Sequence, residues 1–166
     1  MVDWVAQKYT ISMIFSSPLK RASQTANILS ERTGVKVIHD DDLMEFQNGL
    51  IAGMPRDEAN KKYPKPDIRY THTLVYEMES DIQFRMRAET ALSKIINENS
   101  NDSVNVIVSH GGLINRLFQS FMRLPVSTSV SISSGDTGIH ELRTDGNSQH
   151  IVFINQQQHL ANIINE

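Results

Sequence analysis

The sequence predicts an α/β fold, a three-layer sandwich whose largely parallel sheet is flanked by helices, in a single domain spanning residues 1–166. Short apolar runs alternate with longer amphipathic segments along the chain. Two of those runs, ending in SSPLKR and SHGG, pass directly from strand through a tight turn into a helix. No linker, low-complexity run or internal repeat divides the 166 residues.

The elements follow in order. Residues 2–9 read as the last turns of a helix, with Trp4, Val5 and Tyr9 near one face and no capping residue before them. The apolar run Ile11–Phe15 is a buried strand stopped by Ser16, Ser17 and Pro18. Ser17 as cap and Pro18 at the first helical position then open a helix running to about Arg32 and ending at Gly34. Val35–Ile38 is a short strand, and the stretch HDDDLMEFQNGLIAGM after it reads as an ordered loop. A short helix is expected over Pro55–Tyr63, before the breakers Pro64 and Pro66. The clearest amphipathic helix covers residues 80–98, with Ser80 as its cap and Phe84, Ala88, Ala91, Leu92, Ile95 and Ile96 on its apolar face. VNVIVSHGGLINRLFQSFM is a strand, a Gly-Gly turn and a helix. Two final strands, near Gly138–Arg143 and Gln149–Ile154, flank the turn Asp145-Gly146.

Composition narrows the function classes. Hydrophobic residues make up 39% and charged residues 21%, which suits a soluble globular domain able to bury a core without cross-links. A formal net charge of −3 provides no general attraction to nucleic acid or anionic membrane, while a local basic pocket can still take a small anion. With no cysteine, thiolate nucleophiles and cysteine metal sites are excluded. MVDWVAQKYT has an early acid and no apolar centre, unlike a signal peptide, and no run approaches membrane-spanning length, so the expectation is cytoplasmic.

In sheets of this kind, ligands gather beyond the carboxyl ends of the strands, where loops enter helix N-termini. SSPLKR places Arg21 in the first turn of such a helix, so a guanidinium, a helix dipole and backbone N–H groups converge on one anion. SHGG places His110 at a strand tip with Gly111 and Gly112 behind it, which permits close backbone approach to a ligand. Glu45, on the loop after VKVI, enters at the same edge and is a candidate proton donor. Each has a plainer reading. An arginine at a helix start is more often a solvated charge, and a lone loop glutamate more often still. Their common location favours a phosphate pocket. The run His39-Asp40-Asp41-Asp42 reads as a solvated acidic turn rather than a metal site. No Walker A, dinucleotide or nucleophile-elbow motif is present.

SSPLKRASQTA, LMEFQNGLIAG, VIVSHGGLINRLF and INQQQHL, in that order and spacing, resemble the histidine phosphatase superfamily, also called the phosphoglycerate mutase-like family. The resemblance implies the phosphoglycerate mutase-like sandwich, a phosphohistidine mechanism and no metal or other cofactor. It assigns phosphate binding to Arg21, His110 and Gly111, catalytic roles to His110 and Glu45, the latter as the acid, and a structural role to His159. It implies a small phosphorylated metabolite or phosphate as partner.

In the family, the attacking histidine belongs to an Arg-His-Gly motif on the first central strand. No Arg-His-Gly occurs in these 166 residues, and the first histidine is His39. The expectation is therefore an N-terminally truncated domain lacking that strand, inactive or impaired, with a homodimer as one way to cover the exposed sheet edge. A phosphomonoesterase is expected first, because only about 65 residues separate Glu45 from His110. Mutase-type phosphoryl transfer and a non-catalytic phosphate-binding module are the alternatives. Substrate choice is expected to lie in residues 47–79, where Arg56, Lys61, Lys62, Lys65, Arg69 and His72 either meet an anionic leaving group or are solvated.

Overall fold

The computed structural model describes residues 1–97 and 102–161. Its order is α1 (Val2–Lys8), β1 (Met13–Ser16), α2 (Lys20–Thr33), β2 (Val37–His39), α3 (Arg56–Lys62), α4 (Asp81–Asn97), β3 (Asn105–Val108), α5 (Gly111–Phe121), β4 (Ile139–Thr144) and β5 (Gln149–Gln156). The predicted elements are present with ends moved by at most two residues, except that residue 98 lies outside the described residues.

β1 lies between β2 and β3, parallel to both. Its side chains alternate between the two faces, as a doubly covered strand requires. Ile14 packs with Val5, Ile11, Ala26 and Leu29 beneath α1 and α2. Phe15, one residue on, packs against Leu43, Phe84, Ala88, Ala91, Leu113 and Leu117 beneath α4 and α5. β3 repeats the pattern, with Val106 and Val108 on the first side and Ile107 on the second. Two helical layers thus enclose the parallel sheet. Ile14, Leu29, Leu43 and Leu113 are wholly buried, each worth about 1.5–3 kcal/mol of transfer free energy.

β4 and β5 form a separate antiparallel ribbon. α1 joins it to the sandwich: Trp4 packs edge-on to Phe153, Tyr9 donates a hydrogen bond to Glu141, and Lys8 lies over the Phe153 ring. Among the described residues, β3 is therefore an edge strand, and all four of its residues are partly exposed. Such an edge carries backbone donors and acceptors ready to pair.

Two local details differ from expectation. The second helix begins at Lys20 rather than Pro18, with Leu19 as its extended N-cap. Ser17 does not cap it, because its hydroxyl lies beside His110 and accepts a hydrogen bond from Leu19 N. Ser80 does cap α4: its hydroxyl accepts from Gln83 N while Gln83 Oε1 accepts from Ser80 N, a reciprocal capping box.

Candidate active site

Strand register places the candidate residues together. Ser16 pairs with His39 on one side and Val108 on the other, so β1, β2 and β3 end level. Ser17 N donates to Val108 O and Asp40 N donates to Ser16 O, both at 3.0 Å, which extends this alignment one residue beyond the sheet. The segments leaving that edge carry Ser17 and Arg21, Asp40 to Glu45, and His110 to Gly112.

His110 is the centre of the cluster. Arg21 Nε lies 2.8 Å from its Nδ1, and Ser17 Oγ lies 2.9 Å from its Nε2. A guanidinium nitrogen can only donate, so Nδ1 accepts and the proton of the neutral ring sits on Nε2, donated to Ser17. Burial pushes the His110 pKa below its ordinary value of 6.5; the Arg21 charge lowers it further, and Glu45 opposes them. Nε engages the imidazole, leaving the Nη1/Nη2 fork of Arg21 for an oxyanion.

Glu45 reaches the same place from the loop after β2. Its Oε2 accepts from Gly112 N at 3.1 Å in the first turn of α5, and its Oε1 accepts from Phe46 N at 2.9 Å. Only glycine at 112 leaves Glu45 in this place, since a Cβ there would stand 2.3 Å from Glu45 Oε1. At Gly111, in contrast, a Cβ would meet nothing within 4 Å, so the space over the helix start is open.

The loop bearing Glu45 is held from inside by a pair the sequence reading missed. Arg87 Nη1 donates to Asp42 O and Met44 O at 2.9 Å each, and Nη2 to Glu45 O at 3.3 Å. The same guanidinium grips both carboxylate oxygens of Glu79 at 3.1 and 2.7 Å. Glu79 Oε1 in turn accepts from Gln47 N. Ser109 Oγ adds a bond to Leu43 O, tying the loop to the β3 exit. On sequence, Arg87 is simply a polar residue in an amphipathic helix.

Arg21, Glu45, His110 and Gly111, all singled out from the sequence, thus lie at one edge of the sheet. The acidic turn lies to one side: Asp40 Oδ1 caps Asp42 N, and both aspartates face Lys94. His159 pairs with Thr137, away from His110.

The family model of the histidine phosphatase superfamily (branch 1) matches residues 2–157. The chain belongs to that superfamily. It is 30% identical over 135 residues to the uncharacterized phosphatase PhoE of Bacillus subtilis, with 81% of this chain and 60% of that protein covered. It is 31% identical over 125 residues to phosphoglycerate mutase-like protein 4 of Arabidopsis thaliana, covering 72% and 54%. The chain therefore spans a little over half of the length of these two relatives. A solved structure of mycobacterial glucosyl-3-phosphoglycerate phosphatase in complex with VO3 superposes with a TM-score of 0.78 at 22% identity, over 94% of this chain and 81% of that one. At that identity the likeness is one of fold. It confirms the sandwich of the superfamily, and no helix among the described residues is long and apolar enough to cross a membrane.

A pH dependence follows from two imidazoles, the buried His110 and the half-buried His140. His110 and His140 both have pKa values lowered chiefly by burial, so the unfolded chain binds more protons than the folded one in mildly acidic solution. Their contribution to stability is complete above the unfolded value of about 6.5 and is lost as pH falls below it towards the folded values. The urea midpoint is expected to fall between pH 7 and pH 5, less steeply in His110→Gln. A midpoint that stays level across that range would contradict the neutral state of these two imidazoles in the fold.

Proposed function

We propose that this chain provides the phosphate-holding and proton-donating parts of a phosphomonoesterase, with attack by a histidine that is not among its 166 residues. The observation that carries this reading is the convergence of Arg21, His110 and Glu45 from separate strand ends, with Arg21 and His110 in direct hydrogen bond. The Arg21 fork binds phosphoryl oxygens, and the Nε2–H of His110, which Ser17 Oγ accepts in the free chain, exchanges that partner for one of them. The attacking imidazole forms an N–P bond as the ester P–O bond breaks, and the Glu45 carboxyl gives its proton to the departing oxygen. Water then attacks phosphorus, returns a proton to the Glu45 carboxylate and releases phosphate and free histidine. Here His110 serves as a donor: its Nδ1 lone pair is turned into Arg21 and its Nε2 carries hydrogen, so neither nitrogen is a nucleophile as it stands.

Among the described residues β3, like β2, has an unpaired edge, and an additional strand fits beside β3, whether from an upstream segment or from a second copy of the chain. We favour the upstream segment, because it also brings the nucleophile to the level of His110.

The test is hydrolysis of an aryl phosphate by the 166-residue chain, its His110→Ala variant, and a form extended upstream by an Arg-His-Gly strand. Only the extended form is expected to turn over, the missing covalent nucleophile costing on the order of 10⁶ in rate. Turnover by the short chain that vanishes in His110→Ala would make His110 the nucleophile and overturn the assignment. Phosphate binding without turnover in the extended form would favour a non-catalytic binding module.

A further inference from the structure

We infer that Trp4, Tyr9, Phe153 and Glu141 form a binding site for an organic ammonium cation, methylated at nitrogen, which the ε-ammonium of Lys8 fills in this structure. The site lies where α1 meets the β4–β5 ribbon and shares no residue with the Arg21, His110 and Glu45 cluster. Lys8 Nζ stands 4.7 Å from the centre of the Trp4 ring, 5.2 Å from that of Tyr9 and 4.7 Å from that of Phe153. All three fall within the roughly 6 Å over which a ring face attracts a cation. Lys8 is thus a tethered stand-in for the ligand.

The rings are set in place without the lysine. Trp4 and Tyr9 pack on the core formed by Val5, Ile11, Ile14, Ala26 and Leu29. Phe153 is the cross-strand partner of Glu141, so ring and carboxylate stand on one face of the ribbon. The Trp4 ring meets Tyr9 at 65° and Phe153 at 79°, with centroids 6.2 Å apart in both cases, which makes three walls of a box rather than a flat stack. Glu141 closes the box, its side chain only 12% exposed. Its hydrogen bonds come from elsewhere: Tyr9 Oη donates to Oε2, and Arg143 Nε donates to Oε1 at 2.7 Å. Although burial opposes it, these bonds hold the carboxyl below its ordinary range, so it stays ionised at neutral pH.

Two features set the class of cation. Lys8 Nζ lies 3.8 Å from Glu141 Oε2, beyond hydrogen-bonding range, so charge and ring faces hold the occupant and no N–H bond to the carboxylate is used. A nitrogen whose hydrogens are replaced by methyl groups therefore loses nothing here, while it sheds water more readily than a bare ammonium, which is strongly hydrated. The lysine is also able to leave. Its side chain is 44% exposed, and its departure strips Glu141 of neither hydrogen bond.

Trp4 is the sole tryptophan of the chain, so its fluorescence reads the site directly. Lys8→Ala empties the box, and titration with tetramethylammonium chloride is expected to shift the Trp4 emission saturably. The affinity should be roughly tenfold above that of the wild type, whose tethered ammonium competes. Sodium chloride at the same ionic strength and tert-butanol, a neutral molecule of similar shape, should give no such shift, and Phe153→Leu in the Lys8→Ala background should abolish it. A response to tert-butanol equal to that to the cation would make the site simply apolar and overturn the inference. Equal affinity in wild type and Lys8→Ala, or an unchanged response in Phe153→Leu, would do the same. No response in Lys8→Ala overturns it too, whether the Trp4 emission stays in place or moves to that of the unfolded chain, since rings that close up or scatter without the lysine form no site.

Discussion

Arg87→Met is expected to destabilise the fold by about 3–5 kcal/mol, the usual consequence of removing one partner from a buried ion pair. The Arg87 and Glu79 side chains are 15% and 6% exposed, so the carboxylate left behind would be buried without its counter-charge. The loss does not end there. The same guanidinium satisfies the carbonyls of Asp42, Met44 and Glu45, none of which methionine can reach with a donor. Against a total domain stability of about 5–15 kcal/mol, this is a large fraction. Arg87→Lys keeps the charge but cannot span both the carbonyls and the carboxylate, and so should fall between wild type and Arg87→Met. Arg87→Met with Glu79→Gln should recover part of the loss, because no bare charge remains. Urea unfolding of the four proteins decides the matter; a change below about 1 kcal/mol for Arg87→Met would show that the loop is held by other contacts.

The contrast between what the sequence disclosed and what it withheld has a physical basis. Ile14 and Phe15, or Val106 and Ile107, show both faces of a strand to be apolar, and that alone requires helices on each side. Arg21, His110 and Glu45 were legible because each follows a strand, and parallel strands that end level bring their exits together. Arg87 was not, since an arginine on an amphipathic helix looks the same whether it meets water or a buried carboxylate. Ser17 illustrates the same limit in miniature. Ser-Pro is a helix-start signal, but the hydroxyl has a second use beside His110, and α2 begins two residues beyond Pro18. The division of strands into a parallel sheet and a separate β4–β5 ribbon was equally hidden, because strand pairing is a property of partners distant in sequence.

Gly112→Ala should separate stability from catalysis. The alanine Cβ would fall 2.3 Å from Glu45 Oε1 and 3.1 Å from Glu45 Cδ, so the carboxyl has to leave its place on the α5 N-terminus. What moves is the end of a flexible side chain, and alanine is favoured over glycine within a helix by roughly 0.5–1 kcal/mol, so the melting temperature should hold or rise. In the form extended upstream by an Arg-His-Gly strand, displacing the carboxyl proposed as the acid should cost about 10²–10⁴ in kcat, the range of general-acid catalysis, with little change in KM. Because Gly112→Ala acts through Glu45, adding it to Glu45→Gln should cost little more than Glu45→Gln alone. If the two losses instead multiply, Gly112 affects the reaction by some route other than placing Glu45. If Gly112→Ala is silent in kcat, Glu45 is not the group that protonates the leaving oxygen from the position seen here.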